Sequence, residues 1–164
     1  MQKLLVGDKA PDFLLRDQNN NDFKLSDFKG KWVVVYFVSK NFNPNSLKLA
    51  SDFNKLIKKF DSLGAIVVGV SNSSVDSNLN FINKINAQFS FLSDSESSIT
   101  KLYSPKVTKQ VLDREIRSIP RTTYLINPNG NVEFIWRNFE VLGHAEKVLK
   151  KISERRFLSR LTVL

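Results

Sequence analysis

Ser46 and Ser51 are the first places to look for chemistry. They lie in NPNSLKLASDF, residues 43–53, directly after the β-branched run Trp32-Val33-Val34-Val35-Tyr36-Phe37. A helix that starts straight after a buried strand presents unpaired N–H groups and a positive dipole end, which can stabilise a nucleophile or an anion. Both side chains are nevertheless ordinary alcohols. Acyl transfer by Ser46 would need a general base. The lone histidine, His144, sits in GHAEKVL at an expected helix start, and no G-x-S-x-G elbow is present. A surface or capping His144 is therefore expected. Metal chemistry needs several clustered ligands, and one histidine without cysteine argues against it. The absence of cysteine also excludes disulfides, thiolate metal sites and thiol catalysis. Asn43 or Asn45 can explain the local pattern simply by capping the helix. Arg121 is more informative, because an arginine just before a strand, in the otherwise apolar PRTTYLI, is costly to bury unless paired. It reads either as part of an anion or polar-ligand pocket beside Ser46, or as a structural ion pair.

The elements that must position these residues come from composition and pattern. The chain has 164 residues, enough for one domain with a full core. Hydrophobic content of 41% and charged content of 25% are those of an ordinary globular protein. A net charge of +9 would attract nucleic acid or acidic membrane non-specifically. Abundant Lys and Asn, with runs such as Asn19-Asn20-Asn21, make compositional drift the plainer explanation. No apolar run reaches the roughly 20 residues that span a bilayer, and MQKLLVGDKAPDF lacks the pattern of a signal peptide. A cytoplasmic protein is expected, a monomer without cofactor, with neither membrane nor nucleic acid as partner.

Phe13-Leu14-Leu15 and Phe23-Lys24-Leu25 flank the turn-rich QNNND and predict a hairpin. The continuous apolar Trp32–Phe37 run predicts a strand buried on both faces. Leu47, Ala50, Phe53, Leu56, Ile57 and Phe60 recur at helical spacing, predicting one amphipathic helix closed by Leu63-Gly64. Ala65–Val70 predicts a second buried strand, and Leu79, Phe81, Ile82 and Ile85 mark the next helix. A short strand at 89–92 and a short helix at 97–103 follow. Residues 104–119 show no clear period and are expected as a long loop with local helix. Thr122–Ile126 and Val132–Trp136, joined through Asn129-Gly130, predict a hairpin.

A helix from about Ala145 finishes the chain. Val148, Leu149, Ile152, Phe157 and Leu161 are expected to line its docked side, with Lys and Arg on the other; contact with nucleic acid, a membrane or a partner is the alternative use of such a helix. Residues 1–164 are thus expected to form a single domain, with 155–164 a basic extension of the last helix. Strand–helix–strand–helix followed by a hairpin and a last helix implies an α/β fold with a mixed sheet.

The order of the pieces resembles the thioredoxin-like fold of the peroxiredoxins, with its central mixed β-sheet flanked by helices and an N-terminal β-hairpin. The phrases GDKAPDFLLRDQ, LSDFKGKWVVVYF, LGAIVVGVSNSSVDS, FSFLSDSESSITKLY, RTTYLINPNG and GHAEKVL carry the likeness. Together they are similar to the bacterioferritin co-migratory protein, or peroxiredoxin Q, subfamily from about Val6 to Leu149. The resemblance implies a thioredoxin-dependent thiol peroxidase that reduces hydrogen peroxide and organic hydroperoxides. Such a family typically carries T-P-G-C-T at the helix start and a second cysteine five residues later. Here the matching residues are Asn43, Pro44, Asn45, Ser46 and Leu47, with Ser51 at the second position. The family arginine matches Arg121. Pro44 and Arg121 persist, while the threonine, the glycine and both cysteines are replaced.

A thiolate suits peroxide attack because sulfur is polarizable and its pKa of about 8.5 is readily pulled to 7 or below. Helix N–H groups and an arginine would stabilise both the thiolate and the departing oxygen. Ser46 offers essentially no alkoxide at pH 7, and oxygen cannot follow sulfur through sulfenic acid to a disulfide. Thiol peroxidase turnover is therefore not expected. Either the site decayed naturally or two cysteines were deliberately exchanged for serine; Asn43, Asn45 and Leu47 favour decay, since removing thiols gives no reason to alter them. Thioredoxin is a partner only if the cysteines are native, and otherwise a small polar or anionic ligand is expected.

Overall fold

A computed structural model describes residues 3–39, 43–103, 107–111, 114–118 and 121–162. Its centre is β3 (Trp32–Val38), a seven-residue strand with every side chain buried. Alternation sends Trp32, Val34, Tyr36 and Val38 to one core and Val33, Val35 and Phe37 to the other. β3 pairs in parallel with β4 (Ala65–Ser71) and antiparallel with β8 (Thr122–Ile126). The full sheet runs β2-β1-β5-β4-β3-β8-β9, where β1 is Leu14–Arg16, β2 Asp22–Lys24, β5 Ser90–Ser93 and β9 Val132–Arg137. Parallel central strands and antiparallel flanks make it the expected mixed sheet. The first core packs beneath helices α1 (Pro44–Lys55), α2 (Ile57–Ser62), α3 (Val75–Ile85) and α5 (His144–Thr162). The second is covered by the N-terminal segment through Phe13 and Phe23, and by α4 (Ser98–Tyr103). Among the described residues no helix is long and apolar enough to cross a membrane.

Three expectations need correction. The predicted helix through Phe60 is two helices, because Leu56 leaves helical geometry at φ −101° and ψ 4°. Its N–H bonds the Phe53 carbonyl three residues back, a tightened turn that re-aims the chain while Phe53 and Phe60 stay in one core. In place of a loop with local helix, β6 (Val107–Val111) and β7 (Arg114–Ser118) form a separate antiparallel pair. Their β-branched Val107, Thr108, Val111 and Ile116 favour strand, but polar neighbours hide any apolar alternation. Residues 104–106, 112–113 and 119–120 of that prediction lie outside the described residues. The third correction concerns the last helix: Val148 and Ile152 are fully buried, whereas Phe157 and Leu161 are exposed and do not share their side.

Candidate functional site

α1 begins at the C-terminal end of β3. Asn43 is its N-cap in extended geometry, and its side-chain Oδ1 accepts from the Ser46 N–H at 2.8 Å. This is one of the two capping options read from the sequence. Pro44 follows at the first helical position, where its missing N–H costs nothing and its fixed φ suits the helix. The combination has a chemical consequence. Pro44 has no N–H, and that of Ser46 is directed to Asn43, so two of the first three helical donors are withdrawn from any incoming anion. Ser46 is itself buried, at 5% exposure. Ser51 is half-buried on the same helix. Five residues of helix separate the two serines by about 7.5 Å along the axis and about 140° around it, so they do not face one another. Lys48, between them, pairs with the buried Asp52, one residue past Ser51, at 3.2 Å.

Arg121 immediately precedes β8, and the pairing of Phe37 with Thr122 sets it beside the C-terminal end of β3. The fold thus brings Arg121 and the start of α1 to the same end of the sheet. Its Nη1 donates to the Phe139 carbonyl at 3.2 Å, and its guanidinium lies 5.9 Å from the centre of the Phe139 ring. Among the described residues no carboxylate pairs with it within 4.0 Å. Among the described residues, a carbonyl and an aromatic face hold Arg121.

His144 is neither on the surface nor a simple cap. It is 1% exposed, stacked on Phe139 at 3.5 Å between centroids and 5° between planes. Trp136 and Phe53 approach it edge-on, and its Nε2 lies 2.9 Å from Thr123 Oγ1. Burial, helped by the charges of Lys147 and Arg121, lowers its pKa to about 3 and keeps the imidazole neutral. It is a packing residue that ties α5 and the segment after β9 to α1. The signal that could have found it is the aromatic density just upstream, Phe134, Trp136 and Phe139.

Two further features lie outside the predicted set. Tyr36 is fully buried between Phe53 and Phe91, and burial alone raises the pKa of its phenol far above the usual range. At the opposite end of β3 a cleft of about 190 Å³ opens among Lys9, Asp12, Phe28, Lys29, Lys31 and Asn127. It is remote from Ser46. Among the described residues no group of three or more His, Cys, Asp or Glu could hold a metal.

A mixed sheet whose central strand feeds a proline-started helix, with an arginine supplied from the neighbouring antiparallel strand, defines a thioredoxin-like protein of the peroxiredoxin type. The chain belongs to the AhpC/TSA family, whose model matches residues 6–135. Bacillus subtilis peroxiredoxin Bcp is 32% identical over 149 residues, covering 91% of this chain and 95% of that protein. Among solved structures, the bacterioferritin comigratory protein of Xanthomonas campestris superposes with a TM-score of 0.84 at 32% identity, covering 87% of this chain and 91% of that one. A cysteine-to-serine mutant of Xylella fastidiosa PrxQ superposes with a TM-score of 0.88 at 31% identity, covering 95% and 99% respectively. The chain is thus a homologue of the Bcp/PrxQ peroxiredoxins that contains no cysteine.

Proposed function

We propose that this chain is a peroxiredoxin scaffold without thiol peroxidase turnover, its Ser46 end retaining a binding role for a small polar or anionic ligand near Arg121. One observation carries the reading: a buried alcohol occupies the nucleophile position, and Asn43 takes the amide N–H of that same residue. The alcohol cannot supply the attacking anion, and the capped helix start has lost a donor that would stabilise the departing oxygen. Pro44, Ser46, Ser51, Asn43 and Arg121 are the residues of this altered site. An assay of peroxide consumption with thioredoxin and its reductase tests it, and no turnover above background is expected.

A second reading has its own support, because both cysteine positions hold the same near-isosteric residue. In that reading the protein is a thioredoxin-dependent peroxidase of hydrogen peroxide and organic hydroperoxides whose two thiols have been exchanged. The double variant Ser46→Cys/Ser51→Cys separates the two. Robust peroxide-dependent thiol consumption would favour the second reading, and none would favour a site that decayed through Asn43 and Asn45 as well.

A further inference from the structure

The last helix carries apolar side chains on two opposite sides. Ala145, Val148 and Ile152 are fully buried against the helix-side core. At about 100° per residue, Phe157, Leu161 and Leu158 lie about 140°, 180° and 240° around the axis from Ile152. They lie off the buried side of the helix and are 62%, 50% and 49% exposed in that order. Beyond Ile152 its side passes to Arg156, half-buried, and to Ser159, exposed like every residue from Phe157 to Thr162, so the end of the helix clears the sheet. A helix that only docks on its own sheet needs one apolar stripe; the second packs on nothing among the described residues. Its surroundings are basic. Lys150 and Lys147 are exposed on the outward side about two and three turns before Phe157, and Arg160 is exposed beside the apolar group. Two acidic residues, Glu146 and Glu154, also face outward, Glu154 lying 3.6 Å from Lys151, and Arg155 is turned to Glu133 at 3.6 Å.

We propose that this outward stripe docks the protein on an anionic lipid surface. Phe157, Leu158 and Leu161 enter the boundary between headgroups and acyl chains, while Lys147, Lys150 and Arg160 meet lipid phosphates. Charge and polarity together select the occupant. A second copy carries the same +9 charge and the same basic helix, so self-pairing sets like charges against each other. Nucleic acid would satisfy the basic residues but leave three large apolar side chains without a partner. An anionic bilayer supplies both. The expectation of a docked last helix placed Phe157 and Leu161 in the stripe of Val148 and Ile152, and about half a helical turn separates them. Phe157 lies 13 residues beyond His144, about 20 Å along the helix, so docking leaves the Ser46 end clear.

Flotation of the purified protein with vesicles of phosphatidylcholine, alone or mixed with phosphatidylglycerol, tests this. Binding is expected only with phosphatidylglycerol, and weakened by salt. Phe157→Ser/Leu161→Ser and Lys150→Glu/Arg160→Glu alter exposed positions, so folding is retained, as circular dichroism will verify. Each pair weakens binding about tenfold or more, whereas Lys101→Glu, exposed on α4 across the sheet from α5, weakens it far less. No binding to phosphatidylglycerol vesicles overturns the proposal, as does binding indifferent to the serine pair. A dimer dissolved by Phe157→Ser would reassign the stripe to a second copy, and DNA binding weakened by the serine pair would reassign it to nucleic acid.

Discussion

At Ser46 the governing quantity is the acidity of an alcohol. Even the largest environmental shifts known in proteins, about 3–5 pK units, leave essentially no alkoxide at neutral pH. Asn43 compounds this by taking the Ser46 N–H for helix capping. That cap has a measurable stability: Asn43→Ala is expected to lower unfolding free energy by about 1 kcal/mol in urea titrations, and Asn43→Asp by much less. His144 gives the second prediction at this scale. Its folded pKa is lowered to about 3 from an ordinary 6.5, chiefly by burial. The unfolded chain therefore binds a proton in this window that the folded chain refuses. The contribution to stability is complete above about pH 6.5 and is lost progressively as pH falls toward about 3. Replacing it with His144→Gln should flatten the pH dependence of stability between those limits. An unchanged slope would mean that carboxylates alone set it.

At the scale of elements, the sequence was most legible where period and burial agree. β3, β4 and the β8–β9 hairpin read directly, because unbroken β-branched runs and an Asn-Gly turn have few other uses. The start of α1 was legible as a cap, though not which asparagine provides it. The break at Leu56 was invisible because the apolar spacing continues through it. The β6–β7 pair was missed for lack of apolar alternation, and the burial of His144 because its cage is assembled from Phe53, Thr123, Trp136 and Phe139 on four separate segments. Packing at the sheet centre is tight: a Cβ added at Gly69 would sit 2.5 Å from Phe91 and 2.9 Å from Tyr36. Gly69→Ala should cost about 1–3 kcal/mol or more in unfolding free energy, since both rings are themselves enclosed. The two sides of α5 should differ as sharply. Ile152→Ala is expected to cost about 2–5 kcal/mol, while Phe157→Ser should stay within about 0.5 kcal/mol. Equal losses would show that the outer stripe is packed after all.

For the molecule as a whole, the architecture does not depend on thiols. The sheet, its two cores and the end that gathers Ser46 and Arg121 are held by apolar packing, with no disulfide or metal group among the described residues. Ser46→Cys/Ser51→Cys should accordingly melt within a few degrees of the parent, because the exchange is small and α1 keeps its cap. Fold and activity are thus expected to separate in this member of the AhpC/TSA family. Peroxide consumption by the purified parent chain, supplied with thioredoxin, its reductase and a hydroperoxide, probes that separation most directly. The predicted rate equals the protein-free background and does not change in Ser46→Ala. A rate clearly above background that disappears in Ser46→Ala would contradict it.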